Sequence, residues 1–143
     1  MATGDSRRWL LLVEDNEDEE RLAIRAVNRA DIDCEVVVAR DGEEAQKILD
    51  EAGTRLPVFT MLDIKLPKIS GIEVLQWIRS QDKFDCLPAI VLVGSAGAVD
   101  MNAIYRMGAN SLVRKELDYE IYMARMVPTL RYWSLVNTVP NRR

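Results

Sequence analysis

Five short apolar runs punctuate this chain, and each is followed by a stretch whose apolar residues recur at helical spacing. The runs cover residues 9–13, 35–39, 58–62, 89–93 and 111–114. They are too short for core helices and rich in Val, Leu and Ile, which suits strands buried on both faces. Asn16 can cap a first helix, with Glu19 three residues later completing a capping-box pattern. Ala23, Ala26, Val27 and Ala30 form its inward stripe. Asp41 and Glu44 repeat the cap ahead of Ala45, Ile48, Leu49 and Ala52, and Gly53 ends that helix. After a turn at Pro67, Ser70 can cap a third helix carrying Ile72, Leu75 and Ile78. A weaker helical pattern covers 98–107 and stops at Gly108, and Asp118 can cap the last helix. Strand–helix alternation repeated five times implies a parallel sheet, and right-handed crossovers leave few topologies. The expected fold is α/β, flavodoxin-like (βα)5: a five-stranded parallel sheet of order 2-1-3-4-5 with helices on both faces. The 143 residues fit a single domain, with a core over 8–136 and looser ends at 1–6 and 138–143.

Composition narrows the function. A net charge of -4, from 23 acids against 19 bases, argues against non-specific nucleic-acid binding. No apolar stretch is long enough for a membrane span, and the run after Arg7 and Arg8 is too short for a secretory signal. There are two cysteines and no histidine. That set is too poor for an ordinary zinc site and lacks the commonest general base. Cys34 and Cys86 fall on strands separated by two others, ~14 Å apart at ~4.8 Å per strand, beyond the reach of a disulfide. Both are therefore expected reduced, in a cytoplasmic protein.

In such a sheet, function sits at the carboxyl ends of the strands, near the switch point between strands one and three. Glu14 and Asp15 follow strand one and Asp63 follows strand three, so three carboxylates should converge in one crevice. Three close acids need a counter-charge, and Mg²⁺ is the natural candidate. Lys115, at the end of strand five, brings a second positive charge to the same edge. An Asp so placed can act as a nucleophile towards phosphorus, with the metal and the lysine offsetting charge on the phosphoryl oxygens. Blander readings stand beside this one. Asp63 could cap a turn, Glu14 and Asp15 could serve a helix end, and Lys115 could be a lone surface lysine. The acids at 17–20 read as a solvated helix face.

Three segments carry a family resemblance. Leu11-Leu-Val-Glu-Asp15, Leu62-Asp-Ile-Lys-Leu-Pro67 with Gly71, and Val113-Arg-Lys115 resemble the acidic pair, the phosphoacceptor loop and the lysine of response-regulator receiver domains. The resemblance spans 9–136. It implies that Asp63 takes a phosphoryl group from a sensor histidine kinase, which would provide the histidine missing here. It also implies Mg²⁺ held by Glu14, Asp15, Asp63 and the backbone carbonyl of Lys65. Two positions depart from the family pattern: Val93 replaces the Thr or Ser that ends strand four, and Leu112 replaces an aromatic switch residue. Glu116 also follows the lysine in place of Pro. The familiar hydroxyl-to-aromatic relay cannot operate with these residues, and Ser95 is the nearest alternative hydroxyl. The ending Trp133-Ser-Leu-Val-Asn-Thr-Val-Pro140 resembles that of single-domain regulators paired with phytochrome-type kinases.

The last helix pattern is wider than one core stripe. Tyr119, Met123, Met126, Leu130 and Trp133 form a seam that Ile121, Tyr122 and Val127 broaden, and Pro128 should kink the helix or start a new one. Either the seam packs on the domain's own sheet, or Tyr119, Tyr122, Met126, Tyr132 and Trp133 contribute to an interface. A homodimer through the last strand and helix is the expected form of the second. For function, the leading expectation is a receiver without an output domain that signals by protein–protein contact once phosphorylated. The alternative is a phosphorylation-independent receiver-like binding module, favoured by Val93 and Leu112. An enzyme reading is weaker: Lys65 stands where an aspartyl-phosphate phosphatase needs a second Asp. A flavin protein would need a phosphate loop after strand one, where Glu14 and Asp15 would repel the phosphate.

Overall fold

The computed structural model describes residues 7–65, 70–94 and 100–140. Pro67, Ser95, the first residues of the helix expected over 98–107, and the loose ends 1–6 and 141–143 lie outside the described residues. The chain alternates β1 (Trp9–Val13), α1 (Glu17–Ala30), β2 (Glu35–Ala39), α2 (Gly42–Glu51), β3 (Thr60–Asp63), α3 (Gly71–Arg79), β4 (Ala89–Gly94), α4 (Met101–Arg106), β5 (Ser111–Lys115) and α5 (Tyr119–Arg131). The strands form one parallel sheet in the order β2-β1-β3-β4-β5, as the alternation requires.

Both faces of the sheet are apolar, which is why its strands appear as unbroken hydrophobic runs. Leu10, Leu12, Met61, Ile90 and Leu92 pack under α1 and α5. Leu11, Val13, Leu62, Val91 and Val93 pack under α2, α3 and α4. The helix starts follow the capping signals. Asn16, Asp41, Ser70 and Asp118 each accept a hydrogen bond from the amide three residues on.

β4 and β5 each run one residue further than expected, to Gly94 and Lys115, and other details differ as well. β3 starts at Thr60 rather than 58, although Val58 already donates its N–H to the Trp9 carbonyl at 2.8 Å. It also closes on Asp63, which is therefore a ladder residue paired with Leu92 of β4. α4 is a short helix capped by Asp100. α5 runs through Pro128 to Arg131, and the irregularity comes one turn later as a π-helical turn at Tyr132–Val136. Proline removes a single intrahelical bond, and the turn after it is anchored by buried Leu130 and by Arg131 Nε donating to the Ala30 carbonyl at 2.9 Å.

The seam of α5 resolves mostly in favour of the domain's own core. Tyr122 and Met126, two of the interface candidates, are buried against α1 and the sheet and present almost no surface. Trp133 is half-buried beside them, whereas Tyr119 and Tyr132 are exposed. Cys34 and Cys86 are both free thiols.

Candidate functional site

Register brings the site residues together. Val13 pairs with Leu62, so Glu14 emerges beside Asp63, and the Glu14 N–H donates to the Ala39 carbonyl at 2.9 Å. Gly94 pairs with Lys115, which carries the lysine past the end of β4 to the same edge. The three side chains are 2%, 6% and 13% exposed for Glu14, Asp63 and Lys115, and the last two line an open cleft of about 540 Å³. Asp15, Glu19, Lys65 and Tyr122 contribute to its walls.

Asp63 is held from two sides. Its Oδ1 accepts the Lys65 backbone N–H at 3.1 Å, and its Oδ2 lies 3.2 Å from Lys115 Nζ. The same ammonium stands 3.8 Å from Glu14 Oε1 and donates to Glu19 Oε1. One cation thus faces three acids. Burial pushes the Glu14 carboxyl up to about 8, and its hydrogen bond to Asp63 and the Asp63 charge add to the rise. Without a cation, Glu14 therefore keeps its proton through the neutral range. Burial by itself would lower the Lys115 ammonium, but its bond to Glu19 and the charges of Asp63 and Glu14 outweigh burial and raise it.

The donor set suits a hard divalent cation. Glu14, Glu19 and Asp63 each place a carboxylate oxygen within 4.8 Å of the others. Asp15 is exposed and lines the wall of the same cleft. One expectation is corrected. Glu19 is not part of a solvated face. Its carboxylate goes to Lys115, and the Asn16 N–H that a capping box would give it donates to Glu14 Oε2 at 3.3 Å instead. Only the Asn16 half of the expected box forms, from the Glu19 N–H at 3.0 Å.

A glycine allows the close approach of α3 to the phosphoacceptor candidate. A Cβ at Gly71 would stand 2.8 Å from Ile64 Cα and closer still to the Asp63 carbonyl oxygen, so only Gly fits there. The Gly71 N–H donates to the Ile64 carbonyl at 3.2 Å.

The two departures are visible in place. Val93 is buried on the α2–α3–α4 side, and Gly94 rather than Val93 lines the cleft. Leu112 is half-buried and lines a shallow groove with Met101, Arg114 and Arg125. Tyr122 is the unexpected wall residue. Burial, then the charges of Glu14 and Glu19, push its ionisation upward, so it presents a neutral phenol to the cleft. Among the described residues, no helix is long and apolar enough to cross a membrane.

Residues 10–126 match the family model for the response regulator receiver domain. The chain is 32% identical over 134 residues to the probable methanogenesis regulatory protein FilR2 of Methanothrix harundinacea, covering 92% of this chain and 86% of that protein. It is 29% identical to the response regulator Rcp1 of Synechocystis, covering 92% of each. The Mn(2+)-bound form of Rcp1 has a similar structure, with TM-score 0.83 and 28% identity over 93% of this chain and 99% of that one. The phosphorylated cyanobacterial phytochrome response regulator RcpA is similar at TM-score 0.85 and 30% identity, over 94% and 99%. With an acidic edge of this kind at the ends of β1 and β3 and a lysine at the end of β5, the chain belongs to the response regulator receiver domains of two-component signalling.

Proposed function

We propose that Asp63 accepts a phosphoryl group from the phosphohistidine of a sensor histidine kinase, in a reaction that needs Mg²⁺. The observation that carries this reading is the pairing of Asp63, whose two oxygens lie on the Lys65 amide and on the Lys115 ammonium at the floor of an open cleft. An Asp63 carboxylate oxygen attacks phosphorus, the P–N bond breaks, and its electron pair stays with the imidazole, which leaves neutral because its other ring nitrogen carries a proton. Lys115 is placed to pair with an oxygen of the transferred group. Glu14, Asp15, Asp63 and the Lys65 carbonyl are the residues proposed to hold the cation, and the trio of Glu14, Glu19 and Asp63 supports such a site. When bound, the cation supplies positive charge against the phosphoryl oxygens. To join in, Glu14 gives up its proton to solvent.

The partner kinase is proposed to be phytochrome-type, because RcpA is described as a phytochrome response regulator. The exchange is placed in the cytoplasm, where a kinase meets its ATP. A homodimer through β5 and α5 is supported by exposed Tyr132, Leu135 and Val136 beyond α5 and by the edge position of β5.

Intact-protein mass after incubation with Mg²⁺ and acetyl phosphate, or with a phosphorylated kinase, tests the central claim. A Mg²⁺-dependent phosphoryl adduct should form on the natural chain and be absent from Asp63→Asn. An adduct on that variant refutes the assignment. A second reading, a binding module that works without phosphorylation, is favoured by buried Val93 and by Leu112. It predicts Mg²⁺ binding with no adduct from either donor.

A further inference from the structure

The acid that engages Lys115 most closely is neither of the pair that follows β1. Glu19 lies in the first turn of α1, yet its carboxylate turns from the helix to accept a hydrogen bond from Lys115 Nζ. Asp63 takes the same ammonium at 3.2 Å and Glu14 stands at 3.8 Å. Glu19 and Asp63 are thus the two acids within hydrogen-bonding distance of Lys115, with Glu14 further off. Glu19 is also the outermost of the three, with a side chain 38% exposed, so it meets an incoming anion first.

We propose that Glu19 is a positioning residue that holds Lys115 until phosphorylation and must yield it to the phosphoryl oxygens, so that Glu19 restrains phosphorylation of Asp63. The inference rests on the phosphoacceptor reading of Asp63. Its physical basis is a single cation shared among anions. A phosphoryl donor brings further negative charge into a cleft where Lys115 is already engaged. Glu19 opposes the donor twice, by its own charge and by occupying the counter-charge that the donor needs. Glutamine at this position is nearly the same size; it removes the charge and leaves only a neutral amide oxygen, a weaker acceptor for Lys115.

The test compares the natural chain with Glu19→Gln. Phosphoryl adduct formation is followed by intact mass over a range of acetyl phosphate concentrations at fixed Mg²⁺. Separately, the Lys115 amine is acylated without metal or donor, and its modification is read by peptide mass. The variant should reach half-maximal labelling rate at about fivefold lower donor concentration, as expected for loss of a nearby like charge. Its Lys115 should also acylate faster than that of the natural chain. A Glu19 that merely supports the start of α1 would lower the melting temperature and change neither readout, and that result overturns the inference. Slower labelling of the variant overturns it too, since Glu19 would then assist the reaction. If the natural chain forms no adduct even with a phosphorylated kinase, the phosphoacceptor reading itself falls and takes this inference with it. An adduct on both proteins with the same concentration dependence sinks only the role of Glu19.

Discussion

Lys115 Nζ stands 3.2 Å from Asp63 Oδ2 although the two residues end strands that are not neighbours. The lysine reaches across the end of β4, where the residue alongside it is Gly94. The gap between β3 and β5 at this edge is therefore bridged by charge, with no side chain from β4 in the way.

Removing that charge should be costly before any phosphoryl chemistry begins. Lys115→Ala leaves Glu14, Glu19 and Asp63 without their common cation, and the expected loss is about 1.5–3 kcal/mol, the range for hydrogen bonds between charged groups. Urea denaturation with and without Mg²⁺ checks this. A divalent cation should restore part of the loss, and an unchanged midpoint without metal would contradict the shared-cation picture.

Gly71 predicts a coupled defect. In Gly71→Ala the added methyl meets the backbone of Asp63 and Ile64, which must move because no flexible side chain is there to yield. The expected cost is about 1–3 kcal/mol. Because the displaced backbone is that of the phosphoacceptor candidate, adduct formation should slow as well. A variant as stable and as readily labelled as the natural chain would show that α3 can back away freely.

The buried proton on Glu14 sets an unusual pH trend. Its carboxyl rises from an ordinary 4.5 to about 8 in the folded chain, so between these values the folded state holds a proton that the unfolded state has lost. This contribution to stability is complete below about pH 4.5 and is lost as pH rises through about 8. Urea midpoints of the metal-free protein, compared with those of Glu14→Gln, should show that decline in the natural chain only. Saturating Mg²⁺ should flatten it, because the cation takes the place of the proton.

The two thiols should separate in alkylation. Burial pushes Cys34 up to about 11, with nearby Arg8 pulling the other way, while Cys86 is exposed. At pH 8, iodoacetamide should modify Cys86 first, and Cys34 should accelerate as pH increases. Equal rates would mean that the segment ahead of β2 opens readily.

The strands and helix starts were legible because their causes are local. A parallel strand covered on both faces must be apolar throughout, as in Trp9–Val13. A short polar side chain before a helix must find an amide, as Ser70 does with Glu73. Asp63 and Lys115 followed from topology, since both lie at strand ends on one edge. Glu19 was hidden because capping and site contact demand the same residue type at the same position, and only the third dimension shows which partner wins. Glu14 and Asp15 are adjacent in the chain but diverge in space, one buried and one exposed. The width of the α5 stripe was equally ambiguous. Tyr122 and Met126 are apolar because α5 rests on both the sheet and α1, a demand that resembles an interface when only spacing is known.

Helix α1 is tied by hydrogen bonds at both of its ends. At its start, the Asn16 amide donates to buried Glu14, and at its end the Ala30 carbonyl accepts from Arg131, one residue before the π-helical turn. Fourteen residues of helix separate these contacts, about 21 Å at the usual rise. α1 therefore spans the distance from the Glu14 carboxyl to the segment that leads into exposed Tyr132, along a line that includes neither Val93 nor Leu112.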